Sequence, residues 1–173
     1  MKRLLVSACL LGFDCKYSGG NNALEADTLR ALREKWALVP VCPETAGGLG
    51  VPREPSERRG ERVVSRSGRD VTAPFTRGAE TACRLCERFG CRRALLKENS
   101  PSCGCGTIYD GSFSGTLTEG DGLTAEKLRA GGVEIRPVYG RTGSAAKPSD
   151  MAALVAQAVP AVFTDRSGKR IQG

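Results

Sequence analysis

Eight cysteines and no histidine bound the chemistry open to this chain of 173 residues. Without an imidazole there is no Ser-His-Asp triad, no Cys-His dyad and no histidine-ligated zinc. What remains is thiolate chemistry, carboxylate acid–base chemistry, or a metal held by sulfur. Four of the cysteines, Cys9, Cys15, Cys42 and Cys103, fall at or just beyond the ends of apolar runs of strand length. Cys9 taken alone reads equally well as a small packed hydrophobe. Cys15 lies among Asp14, Lys16, Tyr17 and glycines, and Cys103 sits in the tight Ser100-Pro101-Ser102-Cys103-Gly104 loop. Burial gives no reason for a thiol at either place. Three thiolates arriving at one crevice can hold an iron–sulfur cluster. Three protein ligands on a four-iron cluster leave one iron open for substrate, as catalytic metals keep a vacant position. Cys42, followed by Pro43 and Glu44, is either a ligand or a packed thiol beside the site.

Glu44 is the strongest candidate for proton transfer. Partial burial and neighbouring thiolates would both raise its pKa and let it act as a general acid or base near neutrality. The competing reading is a capping or salt-bridged glutamate. Ser100 either orients a substrate or makes its own turn. Cys83-x-x-Cys86 with Cys91 forms a second group, read as structural thiols or as a partial zinc or redox site. One such pair without a second pair or a histidine is an incomplete zinc site. Cys105, two residues past Cys103, reads as a bystander. The glycines of residues 19–22 and 47–50 let backbone approach a ligand closely. They lack the spacing of phosphate-binding loops.

The elements that must position these residues follow from the apolar pattern. Strands are expected at Leu4–Leu10, Ala37–Cys42, Arg92–Lys97 and Val133–Val138, and helices at Ala23–Trp36, Pro74–Phe89 and Thr124–Ala130. Glu61–Thr72 reads as a hairpin turning at Ser67-Gly68, and Thr107–Leu117 as a second one with an Asp110-Gly111 turn. Gly47–Arg59 reads as a loop. This alternation predicts the α/β class: a single compact domain with a mostly parallel, Rossmann-like sheet flanked by helices and small hairpin insertions. Ligands of such sheets sit outside the carboxyl ends of the strands. There the loops carrying Cys9 and Cys15, Cys42 and Glu44, and Ser100 and Cys103 converge. Residues 1–138 form this domain. Residues 139–173 read as a linker, a short helix near Asp150–Ala158 and a frayed end.

Bulk properties narrow the partners. A chain of this length buries about 70% of the surface its unfolded form exposes, so it folds without disulfides. Leu4 to Leu11 is broken by Ser7 and Cys9 and followed by Asp14 and Lys16, which reads as a core strand and not a secretion signal. No long apolar run suggests a membrane span. The cytosol is the expected compartment, where cysteines serve metals or catalysis more than disulfides. The net charge of +7 favours anionic partners. Its arginines are interleaved with glutamates, and aromatics make up only 5% of the chain. Both argue against a nucleic-acid platform. A zinc-containing basic nucleic-acid-binding module and a thiol redox sensor stand as alternatives to an enzyme. A homodimer is compatible with the sequence.

Three ordered motifs carry a resemblance. They are Val6-Ser7-Ala8-Cys9-Leu10-Leu11-Gly12 with Cys15; Pro40-Val41-Cys42-Pro43-Glu44 continuing to Gly47-Gly48-Leu49 and Pro52-Arg53; and Leu96-Lys97 with Ser100-Pro101-Ser102-Cys103-Gly104 and Ile108-Tyr109-Asp110-Gly111. Over residues 1–138 the chain resembles the bacterial 2-thiouracil desulfurases. The resemblance implies a compact α/β domain binding a 4Fe–4S cluster through three cysteines, whose free iron takes the sulfur of a thiolated base without net electron transfer. Carried over residue by residue, it implies Cys9, Cys15 and Cys103 as ligands with Cys42 the interchangeable candidate, Glu44 as the acid–base residue and Ser100 as a substrate-positioning residue. Cys83, Cys86, Cys91 and Cys105 depart from the family pattern.

Overall fold

A computed structural model describes residues 1–138 together with the two-residue strands Phe163–Thr164 and Arg170–Ile171. The helix expected near Asp150–Ala158 lies outside the described residues. The first strand, β1 (Lys2–Ser7), becomes buried from Leu4 onward. It is shorter than its apolar run, because Ala8–Leu11 winds into one turn of 3-10 helix. Gly12, at φ 95°, closes that turn by donating its N–H to the carbonyls of Ala8 and Cys9. A short buried run has no period that separates strand from helical turn.

The helix α1 (Ala26–Lys35) leads into β2 (Trp36–Val41), and α2 (Pro43–Ala46) is a single turn with Pro43 in its first position. Next come β3 (Ser56–Arg59) and β4 (Arg62–Ser65), paired antiparallel around Gly60, which adopts φ 60°. The expected hairpin is therefore displaced: its ladder turns at Gly60-Glu61. Ser67-Gly68 makes only a smaller turn closed by the Val64–Asp70 bridge. The long helix α3 (Thr72–Phe89) ends at Gly90 with φ 64°. The strand β5 (Arg93–Lys97) precedes the hairpin of β6 (Cys105–Tyr109) and β7 (Leu117–Asp121). That hairpin starts earlier and ends later than its turn signal suggests, with residues 110–116 as its loop. Finally α4 (Leu123–Ala130) feeds β8 (Glu134–Val138). Farther on, β9 (Phe163–Thr164) and β10 (Arg170–Ile171) pair antiparallel where fraying was expected.

Four strands form one parallel sheet in the order β2-β1-β5-β8. Alternation along β1 and β5 splits the core in two. Leu5, Ala94 and Leu96 pack with Ala82, Cys86, Ala125 and Leu128, which places α3 and α4 on one face. Leu4, Val6 and Leu95 pack with Leu24, Leu32 and Trp36 on the other, against α1. Helices on both faces leave the carboxyl ends of the strands as the open crevice. No helix among the described residues is long and apolar enough to cross a membrane.

Candidate active site

The loops leaving β1, β2 and β5 meet around a cavity of about 390 Å³. Cys9, Cys15, Cys42, Glu44, Ser100 and Cys103 all line it, so every predicted site residue is brought to one place. The mouth is bordered by Tyr17, Tyr109 and Phe113.

The thiols interact directly. Cys15 lies within hydrogen-bonding reach of both Cys9 and Cys42, and its S–H is the main influence on each. It lowers Cys42 to about 5, assisted by Thr45 and opposed by burial. It lowers Cys9 to about 7, with Asn22 assisting. Cys15 is pushed up in return, because both neighbours rely on its proton. Cys103 is 6% exposed, and burial pushes its thiol up although the Ser7 hydroxyl donates to it. Cys103 also feels the charges of Cys9, Cys42 and Glu44, which places its sulfur in the same neighbourhood. Lys97 lines the cavity beside Cys9. Burial lowers its pKa, and its ammonium donates to the Glu98 carbonyl at 2.8 Å. Among the described residues no three Cys, Asp or Glu side chains are placed to hold a single metal ion. Thiols gathered at one cavity fit an iron–sulfur cluster, whose ordinary ligands are cysteine thiolates.

Glu44 stands opposite the thiols. Arg53 donates to its Oε2 from Nε at 2.7 Å and from Nη2 at 2.7 Å. The two side chains are only 10% and 17% exposed. Burial raises the Glu44 pKa, and the Arg53 charge pulls it back. The Ser100 hydroxyl lies within hydrogen-bonding reach of the carboxylate. Its oxygen also accepts the backbone N–H groups of Ser102 at 3.0 Å and Cys103 at 3.1 Å. Ser100 thus makes the turn and faces the site; the two readings of its role are compatible. Glu44 is both salt-bridged and placed for chemistry.

The second cysteine group stays outside. Cys86 and Cys91 are buried in the core with Ala82, Ala94 and Leu128, and Cys83 packs against them. Burial raises all three thiols, Cys86 to about 12. All three pack in or against the core and lie outside the cavity, as the reading of them as structural thiols expects. Cys105 points elsewhere as well, its sulfur accepting from Arg129 at 2.9 Å.

Two further cavity residues have no role assigned from the sequence, although Arg53 belongs to the second motif. Arg53 reaches Glu44 from a loop, and Phe113 reaches the mouth from the β6–β7 loop. Phe113 adopts φ 59°, its N–H donates to Glu57 Oε2 at 2.9 Å, and its ring lies 5.9 Å from both the Arg59 and Arg66 guanidinium carbons. Glu98 and Asn99, which directly precede Ser100, line the cavity as well.

A profile of the 2-thiouracil desulfurase family matches residues 4–137. The uncharacterized protein YbbK of Bacillus subtilis (strain 168) is 39% identical over 142 residues, covering 76% of this chain and 93% of that protein. A solved structure of the [4Fe-4S]-dependent thiouracil desulfidase TudS superposes with a TM-score of 0.76 at 48% identity, covering 79% of this chain and 91% of that one.

Proposed function

The chain belongs to the 2-thiouracil desulfurase family, and on that premise we propose that it removes sulfur hydrolytically from a thiolated nucleobase such as 2-thiouracil, using a [4Fe-4S] cluster. The observation that carries this reading is the convergence of Cys9, Cys15, Cys42 and Cys103 on one cavity that also holds the Arg53-bound Glu44.

Cys9, Cys15 and Cys103 would hold the cluster, with Cys42 the fourth thiol of the cavity, next to Glu44. When bound, the cluster would supply Lewis-acid chemistry at the thiocarbonyl sulfur. Glu44 takes a proton from the water that attacks the thiocarbonyl carbon. Arg53 keeps that carboxylate in place, and Ser100 holds it by a hydroxyl hydrogen bond while orienting the base. The overall change replaces sulfur by the oxygen of water and releases sulfide, so no electrons are gained or lost. Eight free thiols fit a reducing cytosol. A cavity of about 390 Å³ suits a small molecule more than a nucleic-acid strand.

The test is anaerobic purification with iron and sulfide counting, followed by conversion of 2-thiouracil to uracil. The Glu44→Gln variant is expected to keep its iron and visible spectrum and lose about 10²- to 10⁴-fold in turnover. Cys9→Ser, Cys15→Ser and Cys103→Ser are each expected to lose the cluster, and Cys42→Ser to keep it. Zinc instead of iron with salt-sensitive RNA binding, or full activity in Glu44→Gln, would overturn the reading.

A further inference from the structure

Two oxygen acceptors in the cavity wall have no use within the protein. Glu98 is 1% exposed. Its Oε1 accepts the backbone N–H of Asn99 at 3.1 Å and of Cys105 at 3.0 Å, which fixes the carboxylate. Its Oε2 is buried without a hydrogen-bond partner. On the next residue, Asn99 Oδ1 is buried without one too. These are the only such side-chain oxygens among the described residues, and both residues line the cavity. A buried acceptor is normally paired, so two consecutive ones on a cavity call for a donor that arrives with a ligand. Asn99 also adopts φ 66°. Side chains held in the left-handed region cluster at functional sites.

A carboxamide offers one acceptor and two donors on a single plane. That matches the N3–H and C4=O groups that a pyrimidine such as 2-thiouracil presents side by side, on the ring edge next to its thiocarbonyl carbon. Resting on the desulfurase reading above, we propose that Asn99, backed by Glu98, is a specificity-determining residue that binds this N–H/C=O edge of the ring. Asn99 Oδ1 accepts N3–H, and Nδ2 donates to the C4 oxygen. Glu98 Oε2 offers a second acceptor for the same N3–H, so a ring without that hydrogen leaves both acceptors unpaired. The pair selects a ring with a free N3–H over its N3-substituted analogue.

The test uses the cluster-loaded protein and titration calorimetry with uracil, 1-methyluracil and 3-methyluracil, alongside turnover of 2-thiouracil. Wild type is expected to bind 3-methyluracil at least about tenfold more weakly than uracil, and 1-methyluracil within about threefold of it. Asn99→Gly keeps the left-handed backbone accessible and removes the amide. Asn99→Asp keeps the shape and replaces the donor by an acceptor. Both variants are expected to lose about tenfold in uracil affinity with unchanged iron content and visible spectrum. In Asn99→Gly the preference for uracil over 3-methyluracil should vanish. Equal binding of the two ligands by wild type, retained discrimination in Asn99→Gly, or no uracil binding by a protein that turns over 2-thiouracil would each overturn the inference. Loss of the parent reading gives a different result: no sulfide from 2-thiouracil at all.

Discussion

Arg53 ties three parts of the site together. It pairs with Glu44, donates to the Cys15 carbonyl at 2.9 Å and donates to the Gly50 carbonyl at 3.0 Å. The side chain thus fixes the acid–base residue and the thiol loop relative to each other. Its planar fork makes these contacts together, which a lysine could not. Arg53→Met leaves Glu44 unpaired in a largely buried setting. The expected cost is about 3 kcal/mol in urea unfolding, the lower end for breaking a buried pair. Turnover should fall with it, while Cys83→Ala, distant from the cavity, should leave turnover unchanged. The contrast between Cys42 and Cys86 shows what a thiol's surroundings decide. One is lowered to about 5 by a donating neighbour, the other raised to about 12 by its apolar packing.

The single turn α2 owes its position to two glycines. A Cβ on Gly78 of α3 would stand 1.8 Å from the Pro43 carbonyl oxygen, and one on Gly47 would stand 1.9 Å from that of Pro74. The backbones of α2 and α3 therefore touch, and Cys42 and Glu44 ride on that contact. Gly78→Ala is expected to cost about 1–3 kcal/mol by overpacking and to lower turnover by displacing Glu44; thermal melts and kinetics on the same preparation check both. The four sheet strands are legible in the sequence as apolar runs bounded by polar, Gly- and Pro-rich loops, and the three longer helices by an apolar face. The single turn α2, β3 and the 3-10 turn after β1 are not, since four residues carry no period. The thiols and Glu44 were legible because strand ends in a parallel sheet share one edge. Arg53 stands in the second motif, but its pairing with Glu44 was not legible because the intervening loop has no period; Phe113 was not legible because its contact with Glu57 spans a long stretch of chain.

At the scale of the molecule, the thiols fall into those that line the cavity and those that do not. We propose that residues 1–138 make up the whole catalytic domain, as the family match ending at residue 137 suggests. A chain truncated after Val138 is expected to keep its iron content and its rate on 2-thiouracil, measured beside the full-length protein. The two thiol populations differ in access: Cys9, Cys15 and Cys42 are half-buried around a cavity that opens to solvent, whereas Cys86 and Cys91 are sealed beneath α3. An alkylating reagent such as iodoacetamide would therefore run on two clocks. Cluster-free protein should be labelled at the first group within minutes and at the second only as fast as the chain globally unfolds, while iron-loaded protein should resist at Cys9, Cys15 and the second group and still react at Cys42. Mass spectrometry of a timed exposure would report occupancy and fold integrity from one sample, and early labelling of Cys86 would contradict the packing described for it.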